Sequence, residues 1–202
     1  MRLGRRVFEP DQLLVMAIVS PGDPAAAMER VHAVVADGAD IVEVSGETGR
    51  TAPFIATVRD VYPELVIGVS TGRDEVAREA CAAGADLLHG SGLPVAASFG
   101  AGVVCSPRLA ARAIEAGVEP ERIIVSFEGP RELEELAAIG RPVLVSLSDA
   151  VGAGGLARAA VCAWLGARVF RTDEVRETRR ALRMVSAIRG DVPPAYAVRG
   201  LA

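Results

Sequence analysis

A chain of 202 residues, 50% hydrophobic and 24% charged, is long enough to bury one sizeable core without disulfide staples. Its formal charge of -4, with no run of like charges, gives no general attraction to nucleic acid or to an anionic membrane, so a small molecule or a protein is the expected partner. Lysine and asparagine are both missing and all 22 basic residues are arginine, which excludes Schiff-base chemistry on an internal lysine.

The basic opening, Met1 to Arg6, is followed by the apolar run Leu13 to Val19. That run is too short to cross a bilayer and reads as a first buried strand. Asp23-Pro24 then has the form of an N-cap followed by an N1 proline, and helical spacing runs from Pro24 to Asp37, where Gly38 supplies a left-handed stop. The same alternation continues. Further short runs of Val, Ile and Leu occur at Ile41 to Val44, Leu65 to Val69, Asp86 to Leu88, Gly102 to Cys105, Arg122 to Val125, Pro142 to Val145 and Arg168 to Phe170. Helical segments are expected at Asp74 to Ala83, Pro107 to Ala116, Pro130 to Ile139, Gly154 to Leu165 and Asp173 to Arg189. Ser106-Pro107 is a second N-cap candidate, and Gly84, Gly117, Gly140, Gly166 and Gly190 are the expected stops. Thr51 to Tyr62 and Pro94 to Phe99 carry weaker helical signals, the second amounting to a turn or two.

None of the apolar runs alternates with polar residues, as expected of strands covered on both faces in a parallel sheet. The segment Gly38 to Arg50 joins a helix stop, a buried strand and a polar tip, and related versions begin at Gly84, Gly100 and Gly166. Eight such units in one domain, residues 1–202, predict an α/β fold, a compact (β/α)8 TIM barrel with short loops. A doubly wound open sheet is the competing architecture, disfavoured because no Gly-x-Gly-x-x-Gly loop follows the first strand. Cys81, Cys105 and Cys162 lie among apolar residues without metal-type spacing, so they read as buried thiols of a reducing cytoplasm, and no metal site is expected.

Barrel sites gather at the carboxyl ends of the strands. The tips here are polar: Ser20 and Asp23; Ser45, Glu47 and Arg50; Ser70, Thr71 and Arg73; His89; Cys105 and Ser106; Ser126 and Glu128; Ser146, Ser148 and Asp149; Arg171, Asp173 and Glu174. In order, these tips and their flanks resemble dihydropteroate synthase, the folate-pathway barrel that joins a pterin pyrophosphate to p-aminobenzoate. Gly38-Ala-Asp-Ile-Val-Glu-Val-Ser-Gly-Glu-Thr-Gly-Arg50 is similar to the family's G-A-D-I-I-D-V-G-G-E-S-T-R. Arg73 to Ala77 leading to Gly84-Ala85-Asp86, Gly117 to Ile124, Pro142 to Ser148 and Gly166 to Arg171 extend the likeness over almost the whole chain.

The resemblance also marks departures. The family's pterin floor is built of carboxylates and amides, whereas this chain has Ser70 for the Asp of S-I-D-T, His89 for the Asn of N-D-V-S-G and Ser126 for the Asp of D-P-G. Ala150 stands for the lysine after the seventh strand and Asp173 for the histidine of R-x-H. The family's longer first loop, N-V-T-P-D-S-F, is replaced by Ser20-Pro21-Gly22-Asp23-Pro24, so a lid is missing. Each unmatched buried polar group costs about 1 to 3 kcal/mol, enough in combination to remove most micromolar affinity for a pterin.

Arg50 and Arg171 match the family positions that meet the anionic end of the substrate, and two guanidinium forks there would make a phosphate, sulfate or carboxylate clamp. The bland alternative is a surface arginine, or a salt bridge to Glu47 or Asp173. His89 reads as a structural histidine rather than a base or metal ligand, and Glu43, inside a strand, must find a partner or a proton, with a structural pairing to an arginine and a catalytic role as its two alternatives. The expected pocket lining is Ser20, Glu43, Ser70, Thr71, His89, Ser126, Glu128, Ser146, Ser148 and Asp173.

The resulting expectation is a diverged barrel without normal synthase activity that binds an anionic or phosphorylated small molecule or supports a partner subunit. No cofactor is called for, magnesium entering only with a pyrophosphate substrate. The alternative is an active synthase whose rearranged pterin site uses Glu128. Apolar outer helices, Ala157 to Leu165 and Val175 to Ile188, are candidates for the homodimer contact that the resemblance implies.

Overall fold

The computed structural model describes residues 1–46, 49–90, 92–127, 140–150 and 152–192. A short antiparallel hairpin, Arg2–Leu3 (β1) and Arg6–Val7 (β2), precedes eight parallel strands. These are Leu14–Val19 (β3), Ile41–Ser45 (β4), Val66–Thr71 (β5), Leu87–Gly90 (β6), Gly102–Cys105 (β7), Ile123–Ser126 (β8), Val143–Ser146 (β9) and Val169–Thr172 (β10). They close into a barrel in chain order, β10 pairing back to β3, so the TIM barrel is the fold and the open sheet is excluded.

The described helices are Pro24–Ala36 (α1), Thr51–Val61 (α2), Asp74–Ala82 (α3), Leu93–Phe99 (α4), Ala110–Glu115 (α5), Gly152–Trp164 (α6) and Val175–Arg189 (α7). The expected helix at Pro130 to Ile139 lies outside the described residues. Asp23 caps α1 as its sequence predicts, its carboxylate accepting from Ala26 N at 3.0 Å. Ser106 does not cap: Pro107–Leu109 forms a 3-10 turn ahead of α5 with no side-chain bond from Ser106. The weak signal at Thr51 proves to be a full helix, because Phe54, Ile55 and Val58 give it a buried face.

Strand parity sorts the apolar residues into two cores. Val15, Val42, Ile67, Val103, Val145 and Phe170 face outward and pack with helix residues such as Val31, Val34, Ile55 and Leu182. Leu14, Met16, Ile41, Val66, Leu87, Val104, Ile124, Leu144 and Val169 face inward and form a separate cluster with Leu3 and Phe8. The hairpin therefore plugs the amino-terminal mouth of the barrel, with Leu3 fully buried. Gly102 makes room for it, since a Cβ there would lie 2.7 Å from Leu3 Cδ2.

The Gly-Ala-Asp repeat has a common physical purpose. Gly38 and Gly84 end α1 and α3 with φ of +97° and +107°, a region that side chains rarely adopt. Two residues later, Asp40 Oδ2 accepts from Val15 N at 2.9 Å and Asp86 Oδ2 from Ile67 N at 3.0 Å, each tying the strand before it in the barrel. Each carboxylate also receives an arginine, Arg179 on Asp40 and Arg59 on Asp86 at 2.5 Å. Those arginines reach on to the glycine carbonyls, Arg179 Nη2 to Gly38 O at 2.7 Å and Arg59 Nη2 to Gly84 O at 2.8 Å. This is a rivet at the end of the barrel opposite the polar tips.

Candidate functional site

Above the inner apolar cluster, strand parity turns Glu43, Ser45, Ser70, His89, Ser126, Ser146 and Arg171 toward the barrel axis. Glu43 sits in the middle of β4, fully buried. Its Oε2 is 2.7 Å from His89 Nδ1 on β6 and its Oε1 accepts from Arg171 Nε on β10 at 2.6 Å. The neighbours of β4 in the sheet are β3 and β5, so a carboxylate that meets β6 on one side and β10 on the other does so across the interior. Gly68, opposite Glu43 in register, contributes no side chain and leaves room at this level.

Burial alone would push the Glu43 carboxyl up, but the hydrogen bond and charge of His89, followed by those of Arg171, hold it below its ordinary value. It is thus an anion between two basic groups. Its side chain is 1% exposed, whereas Arg171 keeps 16% and His89 26%, so access to the cluster from the cup runs over the two basic residues.

Hydroxyls surround this centre. Ser70 lies between Ser45 and His89 in register, and Ser146 lies beside Arg171. Ser146 Oγ is 2.9 Å from Ser148 Oγ, and Ser20 Oγ is 3.3 Å from Ser45 Oγ at the rim. Ser126 is half-buried on the same inner face.

Several sequence expectations change. Thr71 does not line the cup: it falls on the outward face of β5 with Val69, is buried, and accepts from Arg73 N at 3.1 Å. Arg50 and Arg171 are not two open forks. Arg50 is exposed and donates through Nη1 to Gly22 O at 2.8 Å, pinning the first loop, while Arg171 is held by Glu43. The salt bridge from Arg171 thus goes to Glu43 instead of Asp173. Asp173 is exposed, and its backbone carbonyl accepts from Arg30 Nη2 at 2.6 Å. Glu47 and Glu128 lie outside the described residues.

The sequence offered Glu43 an arginine partner without saying which, and did not join it to His89 and Arg171, 46 and 128 positions away. Parity was the available signal, since all three occupy inward positions one step above Ile41, Leu87 and Val169. Among the described residues no group of three or more His, Cys, Asp or Glu is placed to hold a metal ion, and no helix is long and apolar enough to cross a membrane. A cleft of about 440 Å³ opens at the opposite face, lined by Pro120, Arg141, Pro142 and Arg168. These residues precede strands rather than follow them, so this cleft is not the polar cup.

No protein-family model matches the chain. An inactive dihydropteroate synthase 2 from Mycobacterium tuberculosis is 36% identical, the match covering 95% of this chain and 88% of the relative. Its namesake from Mycobacterium leprae is also 36% identical, with 98% of each chain covered. Among solved structures, Mycobacterium tuberculosis Rv1207 superposes with a TM-score of 0.87 at 38% identity, over 96% of this chain and all of that one. A dihydropteroate synthase from Yersinia pestis gives a TM-score of 0.84 at 21% identity over 94% of this chain and 98% of that one, a likeness of fold.

Proposed function

Because the chain belongs to the dihydropteroate synthase family, we propose that it is a diverged member without ordinary synthase chemistry, whose cup binds a small oxyanion or phosphorylated molecule. The observation that carries this reading is the state of Glu43. A pterin presents a donor-rich edge that needs open carboxylate or amide acceptors, and Glu43, the buried carboxylate of the cup among the described residues, already accepts at both oxygens from its own barrel. The remaining inner positions offer hydroxyls at Ser70, Ser126 and Ser146. A floor of basic groups and hydroxyls suits an oxyanion, which accepts from several donors at once. The first loop points the same way: it runs only from Ser20 to Asp23 before α1 begins, too short to fold over a reacting pair. The mycobacterial relatives, which are named as inactive synthases, agree with the loss of activity.

A thermal-shift panel tests this directly, since a ligand bound by the native state raises the unfolding temperature. Inorganic phosphate, pyrophosphate and sulfate are expected to stabilise the protein, and a pterin without its pyrophosphate is not. A synthase assay with pterin pyrophosphate and p-aminobenzoate is expected to yield no dihydropteroate. Turnover at a synthase's normal rate would overturn the reading.

Self-association through α6 and α7 is part of the proposal. Val161 and Trp164 of α6 and Met184 and Ile188 of α7 each expose about half or more of their surface, on two helices that pack side by side. A second copy is the partner implied by the family resemblance. A cytoplasmic location fits the three free cysteines, because oxidising compartments favour disulfides.

A further inference from the structure

We infer that the cleft at the amino-terminal mouth of the barrel is a second binding site, which takes a small organic monocarboxylate with a flat apolar body on Arg141 and Arg168. It lies at the face opposite the cup and does not rest on the oxyanion reading above. Its volume of about 440 Å³ falls within the range of about 300 to 1,000 Å³ usual for small-molecule sites.

The placement of the charged groups follows from strand order. β8, β9, β10 and β3 are consecutive in the barrel, and the segments entering them line the cleft with Glu121, Arg141, Arg168 and Glu9 in that order. Arg168 N donates to Val143 O at 3.0 Å, which sets the two arginine-bearing segments side by side. Each guanidinium is anchored by one nitrogen to a backbone carbonyl, Arg141 Nη1 to Pro120 O at 3.2 Å and Arg168 Nη1 to Asp11 O at 3.0 Å. Among the described residues neither arginine forms a salt bridge, and their remaining guanidinium N–H groups have no acceptor. Both side chains are half-buried. Burial, and after it the charge of Arg189, holds the Arg168 pKa below the ordinary arginine value against the pull of Asp11 and Asp191. Arg168 is still a cation at neutral pH, with open donors and no paired anion.

The walls decide what accompanies the anion. Pro10, Pro120 and Pro142 give the cleft rigid apolar faces, and Met1, which also packs against the inner apolar cluster, adds another. A proline ring loses almost no rotamer freedom when a ligand covers it, and a guanidinium stacks on an aromatic face as readily as it forks onto a carboxylate. Glu121 and Glu9, both exposed, flank the two arginines in strand order and repel a second negative charge. A phosphorylated or polyanionic ligand is thereby disfavoured, which separates this mouth from the cup.

The probe is naphthoate, titrated into the isotope-labelled protein and followed through the backbone amides by NMR. The signals of Gln12, Gly140 and Gly166 are expected to move, and those of Ser70 and Ser146 in the cup to stay. Naphthamide, the same ring without the charge, should bind roughly ten- to a hundredfold more weakly, the usual worth of hydrogen bonds to a charged group. Arg141→Met and Arg168→Met should each weaken naphthoate by a similar factor, and pyrophosphate should leave the three cleft signals unmoved. The inference is overturned if naphthoate moves cup signals alone, if naphthamide binds as tightly, or if millimolar naphthoate moves nothing. Unchanged affinity in both arginine variants, or pyrophosphate bound in the cleft, would overturn it as well. Because naphthoate and naphthamide are compared on the unaltered protein, the outcome stands even where an arginine variant fails to fold.

Discussion

Glu43 illustrates how one buried carboxylate organises its surroundings. With its side chain 1% exposed, it cannot remain charged without partners, and the barrel gives it one from each side. Removing one partner of a buried pair costs about 3 to 5 kcal/mol, because the other charge is left uncompensated. Arg171→Met should therefore lower stability by an amount toward the low end of that range, since His89 still reaches the second oxygen; urea unfolding measures it. Combining Arg171→Met with Glu43→Gln should recover part of the loss, a coupling of about 1 to 3 kcal/mol between contacting residues, and strict additivity would show that the pair contributes nothing. The pH dependence has a definite sign. Glu43 has a folded pKa below its ordinary 4.5, so the native state releases this proton more readily than the unfolded chain. Its stabilisation is complete above about pH 4.5 and is lost as pH falls through the depressed folded value. Thermal unfolding of wild type and Glu43→Gln should give curves that converge in acid, and a gap independent of pH would exclude Glu43 as the titrating group.

Among the elements, those with a repeating signal were legible in the sequence and those held by distant partners were not. The Gly stops at Gly38, Gly84 and Gly166 all take positive φ, and each apolar run forms its strand, because local steric demand and burial on both faces leave a mark in neighbouring residues. The arginines that complete the Gly-Ala-Asp units left no mark: Arg179 meets Asp40 from 139 positions away. The β1–β2 hairpin was also invisible, since strands of two residues have no period to read. Its role in plugging the barrel predicts a coupling between two residues far apart in sequence. Gly102→Ala would place a Cβ 2.7 Å from Leu3 Cδ2 and 2.9 Å from Arg122 O, so overpacking should cost about 1 to 3 kcal/mol. Leu3→Ala should cost about 2 to 5 kcal/mol, the usual range for emptying a fully buried leucine site. Made together in a denaturation series, the two should cost less than their sum, because the smaller residue 3 relieves part of the clash. Full additivity would mean that the hairpin does not seat against β7.

At the scale of the molecule, closure places the C-terminal ends of all eight strands around one cup and leaves the outer helices to face solvent or a partner. Eight repeated units made the closure readable, whereas the cup's inventory was readable only in part, since Thr71 turns outward and Arg50 is held by the first loop. Which inward residues bond to one another depends on reach across the barrel, and that distance has no counterpart along the chain. The outer surface presents a related question of what covers it. Trp164 is 58% exposed on α6 and Ile188 66% exposed on α7, with Val161 and Met184 on the same two helices. A tryptophan left in water forgoes one of the largest apolar burials a side chain offers, and such residues concentrate in the centres of stable interfaces. If a second copy covers these helices, sedimentation velocity should show a dimer that dissociates on dilution, and Trp164→Glu should shift it to monomer by placing a charge in a desolvated contact. Because that side chain is largely exposed within the single chain, the variant's unfolding measured at dilutions where both proteins are monomeric should match wild type. A monomer up to high micromolar concentration would remove the dimer from the proposal, and a destabilised Trp164→Glu monomer would show that the tryptophan serves the barrel itself.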